Sequence, residues 1–287
     1  LYADDTQIYD FCAPTDTTGL QSRLSVCVDD IGKWMCSNRL QLNAAKTDVI
    51  WCASQRRLAQ LPCQPFLVCG SSVAPSSAVR DLGVWIDNSL SMTVHITKTV
   101  AGCFATLRQL HSVRRSLSQQ SFASLVAALV LPKLDYCNGI LAGLPASQLK
   151  RLQSVLHAAA RLIYGARRRD HVTPLLRQLH WLSIRERVEF KLCVLAYRCL
   201  HGLAPAYLSD DFVFVSDIPS RQRLRSASSS AVLVPVTRRS TLGDRAFPVA
   251  AARFWNALPH DVTSSPSLAS FRRQLKTYLF RRSYGSD

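Results

Sequence analysis

The hydrophobic pattern changes character at Ser91. Before it, apolar residues fall mostly in short runs bounded by turn formers, with one helical stretch; after it they recur three and four apart almost to the C-terminus. An α+β architecture accommodates both halves, with strands and one helix first and helices packed on one another afterwards. Ile96, Val100, Cys103, Phe104, Leu107 and Leu110 make one stripe, and Phe122, Leu125, Val126, Leu129 and Val130 a second, stopped by Pro132. Leu149, Leu152, Leu156, Ala159, Ala160 and Ile163 make a third, ended by Gly165 in the C-cap position. A further helix after Leu182 turns Ile184, Val188, Leu192, Leu195 and Ala196 inward and Arg185, Arg187, Lys191 and Arg198 outward. The last, capped by Ser267, buries Leu268, Phe271, Leu275, Tyr278 and Leu279 and exposes Arg272, Arg273, Lys276, Arg281 and Arg282.

The first ninety residues read differently. Leu1-Tyr2-Ala3 and Thr6 to Cys12 have strand character on either side of Asp4-Asp5, which predicts a hairpin with two carboxylates at its tip. Thr17 or Thr18 then caps a helix to about Asn38, whose core face is Leu20, Leu24, Cys27, Val28, Ile31, Trp34 and Met35. Leu40-Gln41-Leu42 switches to period two, and Val49 to Cys52 reads as a strand. Gln55 to Gln64 is a loop, and Phe66 to Val73 a short hairpin turning at Gly70-Ser71-Ser72. Pro65 and Pro75 confine that hairpin to a sheet edge. Val79 to Asp87 follows as a strand containing Leu82-Gly83-Val84.

Two adjacent carboxylates at a tight turn repel one another, and a divalent cation relieves that repulsion; Mg²⁺ is the natural occupant, and a solvated Asp-Asp turn is the bland alternative. Charge is divided along the chain. The first fifty residues hold four Lys and Arg against seven Asp, whereas residues 101–287 hold 27 against ten acids, and the whole chain is +16. An acidic head on a basic body suits a metal site attached to something that holds a polyanion, with nucleic acid favoured and an anionic membrane surface also compatible. The outer faces of the first three stripes carry Arg108, Arg114, Arg115, Lys150, Arg151 and Arg161. Arg167-Arg168-Arg169 is either a phosphate clamp or a solvated tail that complements the helix dipole. Lys46, in Lys46-Thr47-Asp48, reads by itself as a solvated lysine at a strand start, and Gly83 allows either close backbone approach to a ligand or a β-bulge. His180 and His201 lack an evident carboxylate or nucleophile partner and read as structural.

Ten cysteines include no Cys-x-x-Cys pair, which argues against zinc and for a reducing intracellular setting, nucleus and/or cytoplasm. No apolar run approaches the roughly eighteen residues of a membrane span, so no membrane partner is expected. Three parts are expected: 1–90, 91–170 and a basic, mainly helical 171–287 with a flexible linker near 216–230. The leading Leu1, with an acidic motif at the extreme N-terminus, reads as a fragment of a longer protein.

Tyr2-Ala3-Asp4-Asp5, Lys46-Thr47-Asp48, Leu82-Gly83-Val84, Leu179-His180-Trp181-Leu182, Gly202-Leu203-Ala204-Pro205 and Phe254-Trp255-Asn256-Ala257-Leu258-Pro259 occur in an order that resembles jockey-like non-LTR retrotransposon polyproteins over essentially the whole chain. The resemblance implies the second half of a reverse transcriptase palm (1–90), a helical thumb (91–170) and a C-terminal region. It implies that Asp4 ligates two Mg²⁺ ions with Asp5 in support, that Tyr2 lies under the primer terminus, and that Lys46 serves the departing pyrophosphate. Gly83 would lead into the primer grip. RNA template, DNA primer and deoxynucleoside triphosphates would be the partners, and protein partners are not indicated. Asp stands at position 48 where Glu is commoner in that family. The family's other essential Asp and its fingers precede the segment matched here, so this fragment alone is expected to be inactive. Two alternatives stay open: a non-catalytic RNA/DNA-binding module, and the product of a decayed mobile element.

Overall fold

Among the described residues before residue 90, three pairs of short strands and no larger sheet organise the chain. The computed structural model describes residues 5–218, 231–239 and 241–285. The architecture is mixed α+β and mostly helical, in two compact units, Leu1–His95 and Ile96–Asp287.

In the first unit Thr6 to Cys12 is irregular and mostly exposed, not the expected strand, because no described strand lies beside it to take up its backbone groups. Asp10 ties this segment down instead. Its carboxylate accepts from the Phe11 N–H at 2.7 Å and from Arg23 Nε at 3.0 Å, and these bonds, the backbone one first, hold its pKa below the ordinary aspartate value. Arg23 belongs to α1 (Thr17–Ser37), which ends as expected at Asn38, whose Nδ2 donates to the Trp34 carbonyl at 2.8 Å.

The apolar stripe of α1 is covered only in part, which corrects the expectation of a core face. Leu20 is buried, but Trp34 is 60% exposed. Length explains this: 21 residues of helix run roughly 31 Å, whereas β2 (Phe66–Val68), which packs against it, has three residues and spans roughly 10 Å. Close approach depends on Gly32, where a Cβ would stand 2.9 Å from Cys69 Sγ.

Leu40 to Leu42 is likewise irregular, and only Val49–Ile50 of the expected strand forms. That pair is β1, parallel to β4 (Pro75–Ser76) with Val49 opposite Pro75. A short helix, α2 (Gln55–Leu58), occupies the expected loop. β2 pairs antiparallel with β3 (Ser71–Val73) as expected, but the turn lies earlier, at Cys69 and Gly70, with φ of 47° and 79°. β5 (Ala78–Asp81) and β6 (Val84–Asp87) form a hairpin where one strand was expected. Leu82 and Gly83 both lie at positive φ, 43° and 84°, the arrangement of a two-residue turn whose twist matches its strands.

Asp87 closes β6. Only 5% exposed, it accepts from the Ser91 N–H at 2.7 Å and from the hydroxyls of Ser89 (2.9 Å) and Ser91 (3.1 Å). Burial alone would raise its pKa, yet the hydrogen bonds from Ser91, Ser89 and Thr93 hold it below the usual aspartate value.

The helices of the second unit follow the periodicity closely. α3 (Thr93–Val113) begins at the end of the first unit. α4 (Gln119–Leu129) is capped by Ser118 Oγ, which accepts from the Ser121 N–H at 3.1 Å. Pro132 sits in the first turn of α5 (Leu131–Asp135), where its missing N–H costs nothing, so it opens a helix as well as ending one. α6 (Ala146–Tyr164) stops at Gly165, whose φ is 65°. α7 (Thr173–Gln178), α8 (Ile184–Leu200), α9 (Ala206–Ser209), α10 (Phe247–Asn256), α11 (His260–Thr263) and α12 (Leu268–Tyr284) complete the unit.

α8 is its axis, with α10 and α12 packed against it. Burial therefore runs round most of the helix, including Glu186, Glu189, Cys193, Tyr197 and Cys199. Arg187, expected to face outward, is largely covered and pairs with Asp135 Oδ2 at 2.6 Å. Tyr197 stacks on Phe271 at 4.5 Å between centroids and donates to the Ser265 carbonyl at 3.0 Å. Residues 231–236 are not the expected strand. Val232 makes one bridge to Phe214, and the Asn256 amide grips both its N–H and its carbonyl at 2.8 Å. Residues 219–230 of the expected linker lie outside the described residues. Among the described residues no helix is long and apolar enough to cross a membrane.

Candidate nucleic-acid interface

The acidic motif and the basic body stand differently in the structure. Tyr2 and Asp4 lie outside the described residues, so the proposed metal and primer roles of both fall there. Asp5 is exposed. Among the described residues no three His, Cys, Asp or Glu side chains come together as a metal site. Asp5 offers one exposed carboxylate, a hard oxygen donor of the kind Mg²⁺ takes.

Lys46 ends a single 3₁₀ turn, Ala44–Lys46. Asn43 shapes that turn: its Oδ1 accepts from the Ala45 N–H at 3.0 Å, and its carbonyl accepts from Thr47 Oγ1 at 3.0 Å. Lys46 is exposed just before β1. Gly83 stands at the tip of the β5–β6 hairpin beside Leu82, which is 45% exposed. An apolar side chain and a bare glycine backbone are thus offered together at a turn, not in a bulge.

The cations assigned to the helical body divide into two groups. Arg114 is committed to packing: its Nε and Nη2 donate to the carbonyls of Leu162 (3.2 Å) and Ile163 (2.9 Å), and its guanidinium lies over Phe122 at 5.2 Å. It satisfies carbonyls at the end of α6, as a cation near a helix C-terminus does. Arg151 bonds Gln148 Oε1 at 3.2 Å and Thr97 Oγ1 at 2.8 Å. Arg115 and Lys150 are exposed.

Arg167, Arg168 and Arg169 are exposed in a turn closed by Asp170, whose Oδ2 accepts from the Arg167 N–H at 2.6 Å. The backbone of that turn is therefore held while the guanidinium groups face solvent. His201 stacks on Tyr197 at 3.8 Å and bonds its carbonyl at 2.8 Å, a structural role. The ring of His180 lies 5.7 Å from that of Phe280.

Arg282, placed outward from the sequence, is 38% exposed, but the structure gives it a partner that the sequence did not indicate. Its Nη1 and Nη2 meet Glu189 Oε1 and Oε2 at 2.8 and 2.5 Å, with Glu186 Oε1 3.9 Å away. Glu189, through those hydrogen bonds first, holds the Arg282 guanidinium above the ordinary arginine pKa. The available signal was Glu186-x-x-Glu189 in a helix apolar on more than one side, since buried acids call for a cationic partner.

One pattern emerges from these placements. Glu186, Glu189, Asp135 and Asp244 take part in ion pairs inside the second unit, while α3, α4, α6 and α12 contain no acid at all. Asp170, Asp210, Asp211, Asp217 and Asp261 are exposed, so the basic excess comes from the acid-free helices themselves, with Lys98, Arg108 and Lys150 exposed on α3 and α6. Compared with protein-family models, with curated proteins and with solved structures, the chain matches none of them.

Proposed function

We propose that this chain is the C-terminal part of an RNA-directed DNA polymerase of the non-LTR retrotransposon type, and that its helical unit holds an RNA template and DNA primer by their phosphates. The observation that carries the nucleic-acid part is the charge distribution: four helices without a carboxylate, three of which (α3, α6 and α12) bear exposed cations. The polymerase part rests on the ordered motifs from Tyr2-Ala3-Asp4-Asp5 to Phe254-Trp255-Asn256-Ala257-Leu258-Pro259.

In this reading residues 1–90 are the end of a palm, and α3, α4 and α6 belong to a thumb. Asp4 and Asp5 would supply carboxylates for Mg²⁺ when the rest of the site is present. What the chain's own residues contribute is positional. The β5–β6 tip presents Leu82 and Gly83 to the sugar of a primer strand, where the missing Cβ permits close approach. Lys46 supplies an exposed ammonium that can neutralise or protonate a departing phosphate.

Primer extension tests the reading. Residues 1–287 alone should show no template-dependent synthesis, while a longer protein carrying the upstream segment should extend a primer and lose that activity in Asp4→Ala. Asp4→Ala should leave nucleic-acid affinity of residues 1–287 unchanged. Full activity of Asp4→Ala in an active longer protein would reject the polymerase reading and leave the binding module standing.

A further inference from the structure

We propose that the solvent face of α12 is a binding site for the sugar–phosphate backbone of nucleic acid, separate from the thumb helices and independent of the acidic motif. The helix contains five cations and no acid. Its inner face is fixed, since Phe271, Leu275 and Leu279 are fully buried and Arg282 is clamped by Glu189. Its start is also fixed by Ser267 Oγ, which accepts from the Ser270 N–H at 3.2 Å.

The other four cations, Arg272, Arg273, Lys276 and Arg281, are exposed. None of the four has a carboxylate partner among the described residues. At 100° per residue they spread over about half of the helix circumference, outside the arc of Phe271, Leu275 and Leu279, along roughly 14 Å of its axis. Arg272 and Lys276 stand one turn apart, and Arg273 and Arg281 two turns apart. Anchored cations in rows with no competing acid suit a polyanion with regularly spaced charges.

A membrane surface suits this face less well. Interfacial helices place large apolar side chains beside their cations, where they enter the lipid. Here the neighbouring Phe280 is packed against His180 and Tyr284, with ring centroids 5.7 and 4.8 Å away. The inference goes beyond the polymerase reading and does not depend on it.

The test uses the full 287-residue chain without Mg²⁺ or nucleotides, titrated by fluorescence anisotropy into a 20-nucleotide RNA and a 20-base-pair RNA–DNA hybrid at several salt concentrations. The variant Arg272→Gln/Arg273→Gln/Lys276→Gln/Arg281→Gln should weaken binding at least tenfold, and should flatten the slope of log affinity against log salt by about 3. The control Arg56→Gln/Arg57→Gln/Arg238→Gln/Arg239→Gln removes the same charge and should change the slope by less than about 1. Equal losses in both variants, or none in the α12 variant, would overturn the proposal. The charge-keeping variant Arg272→Lys/Arg273→Lys/Arg281→Lys should retain the slope; its loss would assign the effect to disturbed packing and overturn the proposal as well. Tighter binding of phosphatidylserine vesicles than of either nucleic acid through the same four residues would also overturn it.

Discussion

Replacing Arg282 by Met isolates the contact that docks α12 on α8. The substitution keeps the aliphatic stem, removes the guanidinium, and leaves Glu189, whose side chain is 3% exposed, without its two charge-assisted hydrogen bonds. Breaking a fully buried pair costs about 3–5 kcal/mol. The Arg282 side chain is 38% exposed, so water already screens part of the attraction, which brings the expected loss to about 2–3 kcal/mol.

Hydrogen exchange of the α8 and α12 peptides, measured by mass spectrometry, reads this loss locally. A deficit under about 1 kcal/mol would refute the reasoning. Glu189→Leu/Arg282→Leu should recover much of the loss, because neither charge then remains buried alone.

Other expectations follow from the same geometry. Asp87→Ala should cost about 1–2 kcal/mol, comparable to losing a helix cap, and speed exchange over residues 88–96; unchanged exchange there would contradict the anchoring role. Arg114→Ala should lower stability while leaving nucleic-acid affinity nearly unaltered, and a large affinity loss in a folded variant would show that the guanidinium is not committed to the end of α6. Burial pushes the Cys103 thiol up to about 11 and Cys193 well above the ordinary value, so alkylation of the native chain at pH 8 should label exposed Cys36 and Cys63 and spare these two. Rapid labelling of Cys193 without unfolding would contradict its placement. Tyr284, raised to about 12 by burial, should make stability fall as pH climbs from 10 through 12, and Tyr284→Phe should remove that component of the alkaline titration.

Much of the helical unit is legible in the apolar spacing. The start of α12 at Ser267 and the end of α6 at Gly165 follow from capping residues, and the bodies of α1, α4 and α6 from three-and-four periodicity, because a helix makes its backbone bonds within one segment; α1, however, starts from Asp16 without a side-chain cap and not from a Thr17 or Thr18 cap. The strands are less legible for the opposite reason: each needs a partner. Ala231 to Val236 has β-forming residues but pairs only briefly, Ala231 to Leu233 lying along Val213 to Val215 and held by the Asn256 side chain, while Leu82-Gly83 interrupts what reads as one strand. Both outcomes depend on what lies alongside.

By itself the sequence determined the change from short strands to helices near Ser91, the charge division, and most of the basic face of α12. Tertiary structure decided which charges are available. Arg114 and Arg282 have the same chemistry as Arg115 and Arg281, yet the first two are engaged by helix-end carbonyls and a buried glutamate, and the other two are left to solvent. An arginine's role depends on partners supplied by helices far away in sequence, 48 and 93 residues off in these two cases. Helical periodicity reports only which way a residue points along its own helix. The packing of α6 against α4 and of α12 against α8 settles what it meets there.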